Sequence, residues 1–179
     1  WKNLKVLGLA AAGGQQMPLI AATGARVISY DLSEEQLKRD QEVCQKECLE
    51  IETLQGDMQD LGSLKNNTFD FIINSVSNCF VSDVKTVWQE VARVLKPGGV
   101  LITGFNNPVA YAFDHSKYEE GEMTLKHSIP YSDLETLNDS TIIEKREKQE
   151  ALEFGHSLSE LIGGQMEAGL ALTGLYEDY

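Results

Sequence analysis

The chain has 179 residues, 42% hydrophobic and 24% charged, which is enough for a packed core and ordinary for a globular protein. Its net charge of −13 repels polyanions, and no basic cluster offsets it: Lys145, Arg146 and Lys148 are interleaved with Glu144, Glu147 and Glu150. Nucleic acid is therefore not expected as a partner, and neither is a membrane, since no apolar run approaches the ~20 residues a spanning helix needs.

The first strand is "KVLGLA" (5–10), short and apolar. It runs through "AAGGQQ" into a helix expected within 13–25 and ended by Gly24. Pro18 is tolerable in its first turn, where the missing N–H has no helical partner. "RVISYD" (26–31), β-branched and aromatic, reads as the second strand. Ser33 and Gln36 are spaced as a capping box, opening a helix to about Leu49 with Leu37, Cys44 and Cys48 on one face. Cys44 and Cys48 lack the further ligands of a zinc site, so no metal is expected. The three cysteines read as reduced thiols. With no basic, apolar leader visible, a cytoplasmic location is expected, although Trp1 lies so close to the first strand that a natural N-terminus is expected to be missing.

"IETLQGD" (51–57) and "FDFIINS" (69–75) are strands three and four. Val81, Val84, Trp88, Val91 and Leu95 then step by threes and fours, a helical stripe stopped by "KPGG" (96–99). "VLITGFN" (100–106) is strand five. Past Asn106 the rhythm breaks, with one possible strand at "EMTLKHSI" (122–129). "HSLSELIGGQMEAG" (156–169) restores a helix behind a second capping box, Ser157 with Glu160, and "LALTGLYED" (170–178) is expected as a sixth strand.

Strands alternating with helices imply an α/β fold, a doubly wound, mostly parallel Rossmann-like sheet with helices on both faces and right-handed crossovers. Ligands in such sheets sit at the carboxyl ends of the strands. The loop after strand one brings backbone amides to a helix N-terminus, where an anionic group can approach. Asp31 ends strand two 23 residues after Gly8, the placing of an acid that accepts both ribose hydroxyls of an adenosine cofactor. Its plainer reading is support for the helix that Ser33 caps. Asp57 and Met58, after strand three, suit an adenine ring. Ser75 and Val76 lie in the small, polar stretch "NSVSNCF" (74–80) that ends strand four, where a reacting group would lie.

Taken together, "VLGLAAAGG", "VISYDLSEEQL", "QGDMQDL", "FDFIINS" and "VARVLKPGGVLIT" resemble, in order and spacing, the class I S-adenosylmethionine-dependent methyltransferases. "HSLSELIGGQMEAGLALTGLYE" is similar to the last helix and strand of the small-molecule, ubiquinone/menaquinone-methyltransferase-like group. The resemblance covers nearly the whole chain. It implies one methyltransferase domain over 1–179, in which 107–150 is the acceptor-side insertion. It implies S-adenosylmethionine as cofactor, held by Ala10, Ala11, Ala12, Gly13, Gly14 and Gln15, by Asp31 and Leu32, by Asp57 and Met58, and by Ser75 and Val76. The implied acceptor is a small molecule lined by Asn78, Tyr111, Phe113, Tyr131 and His156. A base is needed only if that acceptor must lose a proton, and the candidates are His156, His127 and Tyr131.

The loop departs from the family pattern of an acid followed by three glycines at alternate positions. Gly8, Ala10, Ala12 and Gly14 stand there instead. Alanine disfavours positive φ, so Gly13 and Gly14 are expected to make the tight turn, with Gln15 and Gln16 as neutral partners for the amino-acid end of the cofactor. This leaves two rival readings: a degenerate cofactor-binding protein without turnover, or an NAD-dependent oxidoreductase, whose G-x-G-x-x-G pattern the loop fits poorly. The family sheet normally finishes with an antiparallel hairpin beside strand five. The sequence stops before one, so either a fragment or a sheet of six strands is expected.

Overall fold

The structure is a computed structural model that describes residues 1–114, 117, 121–148 and 150–177. The chain folds as two compact units, Trp1–Ser77 with Thr86–Gly104, and Asn78–Lys85 with the residues from Phe105 on.

The first unit is built on five parallel strands, β1 (Lys5–Leu9), β2 (Arg26–Asp31), β3 (Glu52–Gln55), β4 (Phe69–Ser75) and β5 (Leu95–Gly104), in the order β3-β2-β1-β4-β5. Helices α1 (Gln16–Ala22), α2 (Glu34–Lys46) and α3 (Val84–Val94) connect them. The chain winds outward from β1 through β2 to β3, then returns to β4 and winds the other way to β5. Right-handed crossovers therefore place α1 and α2 on one face of the sheet and α3 on the other.

Pleating explains which residues fill each layer. Val6 and Val27 point to one face and pack with Met17 and Ala21 of α1, together with Ala25 and Phe71. Leu7, Leu9 and Ile72 alternate to the opposite face and are wholly buried, as are Val87, Trp88, Val91 and Val94 of α3. The expected stripe is thus the buried face of α3, although the helix stops at Val94. Leu95 already pairs with Phe69 of β4, and pairing resumes at Val100 with Phe71. The KPGG segment is an outward excursion within the strand, with Gly98 at φ +77°, rather than a break between helix and strand.

Two further differences concern α2. Ser33 caps it by accepting from Gln36 N–H at 3.3 Å, but the Ser33 N–H goes to Asp31 Oδ1 at 2.9 Å, so the preceding acid completes the cap. The helix ends at Lys46, and Cys48 lies beyond it at φ +55°, exposed, off the Leu37–Cys44 face.

The second unit carries a two-stranded antiparallel pair, β6 (Tyr131–Ser132) and β7 (Phe154–Gly155), and helices α4 (Asp133–Thr136) and α5 (Asp139–Glu147). Asp133, 3% exposed, joins them: it accepts from Tyr131 Oη at 2.7 Å, Lys145 Nζ at 2.9 Å and Glu153 N–H at 3.0 Å. The second capping box forms as expected, with Ser157 N–H to Glu160 Oε2 at 2.9 Å and Glu160 N–H to Ser157 Oγ at 3.2 Å, ahead of a π-helical turn (Ser159–Gly163) and α6 (Gly164–Glu167). The expected strand over 122–129 is reduced to one bridge between Leu125 and Phe113. The expected sixth strand does not form among the described residues 170–177: Leu172, Leu175 and Tyr176 are exposed. A strand is made by a partner edge as much as by its own residues, and residues 170–177 pair with no strand among the described residues. Among the described residues no helix is long and apolar enough to cross a membrane.

Candidate functional site

The strand order reverses between β1 and β4, so their carboxyl ends open the crevice where sheets of this kind take ligands. Asn74, wholly buried at the end of β4, stitches this region together. Its Nδ2 donates to Leu9 O at 2.9 Å and to Ser77 Oγ at 2.8 Å, and its Oδ1 accepts from Thr103 Oγ1 at 3.1 Å. Next to it, Ser75 Oγ donates to Gln16 Oε1 at 2.9 Å, tying β4 to the first turn of α1.

The loop from β1 to α1 is bent three times into positive φ, at Ala10 (+48°), Gly13 (+132°) and Gly14 (+79°). Alanine takes the first of these itself, a cost on the order of 1–2 kcal/mol that the surrounding bonds must outweigh. Ala10 N–H is held by Tyr30 O at 2.7 Å, Ala12 N–H by Asp31 Oδ2 at 3.4 Å and Gly14 N–H by Asp40 Oδ1 at 2.7 Å. The alternate amides 10, 12 and 14 are thus occupied by the protein. The absent acid also has a steric cause: a Cβ on Gly8 would lie 2.0 Å from Met17 Sδ, whose side chain is wholly buried.

Asp31 is half-buried at the end of β2, beside exposed Leu32, with one oxygen on Ser33 N–H and the other on the long bond to Ala12. Asp57 is exposed at the end of β3 and accepts from Gln59 N–H at 2.8 Å. Met58 is buried, its sulfur 3.9 Å from Asn74 Nδ2. Ser75 is half-buried and Val76 exposed at φ +48°. All twelve expected cofactor residues therefore lie on the β1–α1 loop or at strand ends of the first unit.

The expected acceptor residues belong to the second unit. Tyr111 and Tyr131 stack with centroids 5.5 Å apart, and His127 meets Tyr131 edge-on at 5.2 Å. Phe113 is half-buried at the Leu125 bridge. Burial pushes the Tyr111 phenol far up, with the Cys79 thiol and Glu153 carboxylate adding to it. The hydroxyl lies near Asn106 and Cys79, yet neither meets it in hydrogen-bond geometry. Burial also raises Tyr131, reinforced by its bond to Asp133. Both phenols are therefore donors rather than bases at neutral pH. Burial likewise pushes the Cys79 thiol up, away from a nucleophilic thiolate. His156 is 7% exposed, and its Nε2–H is shared between Asn78 O at 3.1 Å and Val81 O at 2.9 Å. That nitrogen shapes the 78–81 loop and is not open to a substrate. His127 has no ring hydrogen bond among the described residues, which makes it the most available of the three candidate bases.

Ser29 and Asp40 escaped the sequence analysis, and Asn74 was singled out only as part of the polar stretch 74–80. Each had a signal: Asp40 is a carboxylate inside the Leu37–Cys44 stripe, and Ser29 and Asn74 are polar residues at inward positions of otherwise apolar strands.

A methyltransferase-domain family model matches residues 7–103. An uncharacterized methyltransferase of Bacillus subtilis, YbaJ, is 48% identical over 177 residues, 99% of this chain and 69% of that protein. The ubiquinone biosynthesis O-methyltransferase of Maricaulis maris is 27% identical over 113 residues, 63% of this chain and 44% of that protein. Among solved structures, an S-adenosylmethionine-dependent methyltransferase from Mesorhizobium loti superposes with a TM-score of 0.69 at 18% identity, over 94% of this chain and 74% of that one, a likeness of fold.

Proposed function

This chain belongs to the methyltransferase-domain family and takes S-adenosylmethionine as its cofactor; we propose that it transfers the methyl group to a small organic acceptor, using a cofactor site made by the β1–α1 loop and the ends of β2, β3 and β4. The observation that carries this site is the loop itself. With amides 10, 12 and 14 held by Tyr30, Asp31 and Asp40, those of Ala11, Gly13 and Gln15 remain for the amino-acid end of a ligand. The donor set fits the group. Asp31 has lone pairs left for a ribose diol beside those on the Ser33 and Ala12 amides. Exposed Asp57 can accept from an adenine amine. Leu32, next to Asp31, and Val76, after β4, offer exposed apolar surface.

When bound, the cofactor supplies a methyl group already activated on a sulfonium. The chain's residues need chiefly to position donor and acceptor, which can supply on the order of 7–11 kcal/mol. For the acceptor we assign Asn78, Tyr111, Phe113 and Tyr131. The reading is supported by the aromatic character of the last three and by the acidity of the chain, which disfavours polyanions. Where the acceptor must lose a proton, His127 is the candidate base, because no ring hydrogen bond occupies it among the described residues. Incubation with methyl-labelled cofactor and a panel of small amines, phenols and carboxylates, alongside tRNA and DNA, tests this. Label on a small acceptor is expected. Label on nucleic acid alone would overturn it.

A further inference from the structure

Asp40 is wholly buried, and among the described residues no lysine, arginine or histidine pairs with it. Its Oδ1 accepts from Gly14 N–H at 2.7 Å and its Oδ2 from Ser29 Oγ at 2.6 Å. A carboxylate kept in a core on two neutral donors is costly, and an apolar residue in this stripe would serve packing better. The surroundings of the turn show what the carboxylate does instead. A Cβ on Gly13 would stand 3.0 Å from Gln36 Oε1, and one on Gly14 would stand 3.2 Å from Val43 Cγ2 and 3.3 Å from Arg39 O. Positions 36, 39, 40 and 43 form one face of α2. The glycine pair is therefore pressed against that helix face, and Asp40 is its polar anchor.

We propose that Asp40, oriented by Ser29, is the positioning residue of the cofactor loop. It latches the Gly13–Gly14 turn to α2 and so fixes the amides of Ala11, Gly13 and Gln15 that receive the amino-acid end of S-adenosylmethionine. The proposal rests on the cofactor reading above. It explains how the loop works without the family's acid and middle glycines: Met17 fills the space beside Gly8, and the polar anchor comes from α2 instead.

The latch has two separable readouts, exchange of the Gly14 amide in ligand-free protein by NMR, and calorimetry with S-adenosylhomocysteine and with methylthioadenosine, which lacks the amino-acid end. Asp40→Asn should stay near the parent in both, because its Oδ1 still accepts from Gly14 while its amide donates to the Ser29 hydroxyl. The double variant Ser29→Ala, Asp40→Leu removes the latch but keeps an apolar filling. It should exchange Gly14 about tenfold faster and bind S-adenosylhomocysteine about tenfold more weakly, the scale of one net hydrogen bond, with methylthioadenosine changed less than about threefold. Unchanged exchange, unchanged S-adenosylhomocysteine affinity or equal loss of both ligands would each overturn the proposal. If the double variant does not fold, Ser29→Ala alone should give about a threefold loss for S-adenosylhomocysteine only, and no loss would overturn the latch. If the parent binds neither ligand, the cofactor reading fails, and Gly14 exchange by itself decides the latch.

Discussion

Asp31 and Gly8 carry the sharpest expectations at the scale of single residues. Asp31 ends β2 with one oxygen on the Ser33 cap and the other on a long bond to Ala12. Asp31→Ala should weaken S-adenosylhomocysteine by about 1.5–3 kcal/mol, the scale of hydrogen bonds to a charged group, and an unchanged dissociation constant in calorimetry would remove it from the site. Restoring the family's acid by Gly8→Asp should not improve binding. Its Cβ would enter the space of the Met17 side chain, so the substitution should lower stability by about 1–3 kcal/mol for overpacking alone, with the buried charge adding more. In thermal unfolding Gly8→Asp should cost less in a Met17→Ala background than in the parent, whereas equal cost in both would mean that sterics are not the reason for the glycine. The sequence showed that the acid was missing. It could not show why, because Met17 reaches Gly8 only once α1 has folded back over β1.

Among the elements, those whose residues interact locally were legible and those that depend on a distant partner were not. The boundaries of β2 and β4 and the Ser157–Glu160 capping box follow from short-range pattern. The segment 170–177 has the alternation of a strand and is none, and the β6–β7 pair, two residues on each side, is too short to leave a pattern. That pair is held by Asp133, which gives the second unit a defined response to acid. Burial raises the Asp133 carboxyl, but Lys145, the Glu153 N–H and the Tyr131 hydroxyl together hold it below the ordinary carboxylate value. A depressed folded value means that the group stabilises the fold above its unfolded pKa of about 3.9, and that this contribution is lost as pH falls through the lower folded value. Denaturant unfolding of the parent should therefore lose stability below about pH 4 by more than Asp133→Asn does. At pH 7 that variant should itself be less stable by about 2–4 kcal/mol, toward the low end because Lys145 can partly rehydrate. Parallel pH profiles for the two proteins would rule out Asp133 as the anchor.

For the molecule as a whole, alternating strand and helix patterns announced a parallel α/β sheet, and the order β3-β2-β1-β4-β5 places the reversal beside the altered loop. Which groups hold that loop was not legible, because Asp40 of α2 meets Gly14, and Ser29 of β2 meets Asp40, only through tertiary packing. The chain spans 69% of its Bacillus relative, and the family model covers 7–103, the span that holds the sheet and loop proposed to bind S-adenosylmethionine. The most direct measurement is calorimetric titration of the unaltered chain with S-adenosylhomocysteine and, separately, with NAD. Saturable binding of S-adenosylhomocysteine at one site per chain, with no heat from NAD, is the predicted result. Binding of NAD, or no binding of S-adenosylhomocysteine at millimolar concentration, would contradict it.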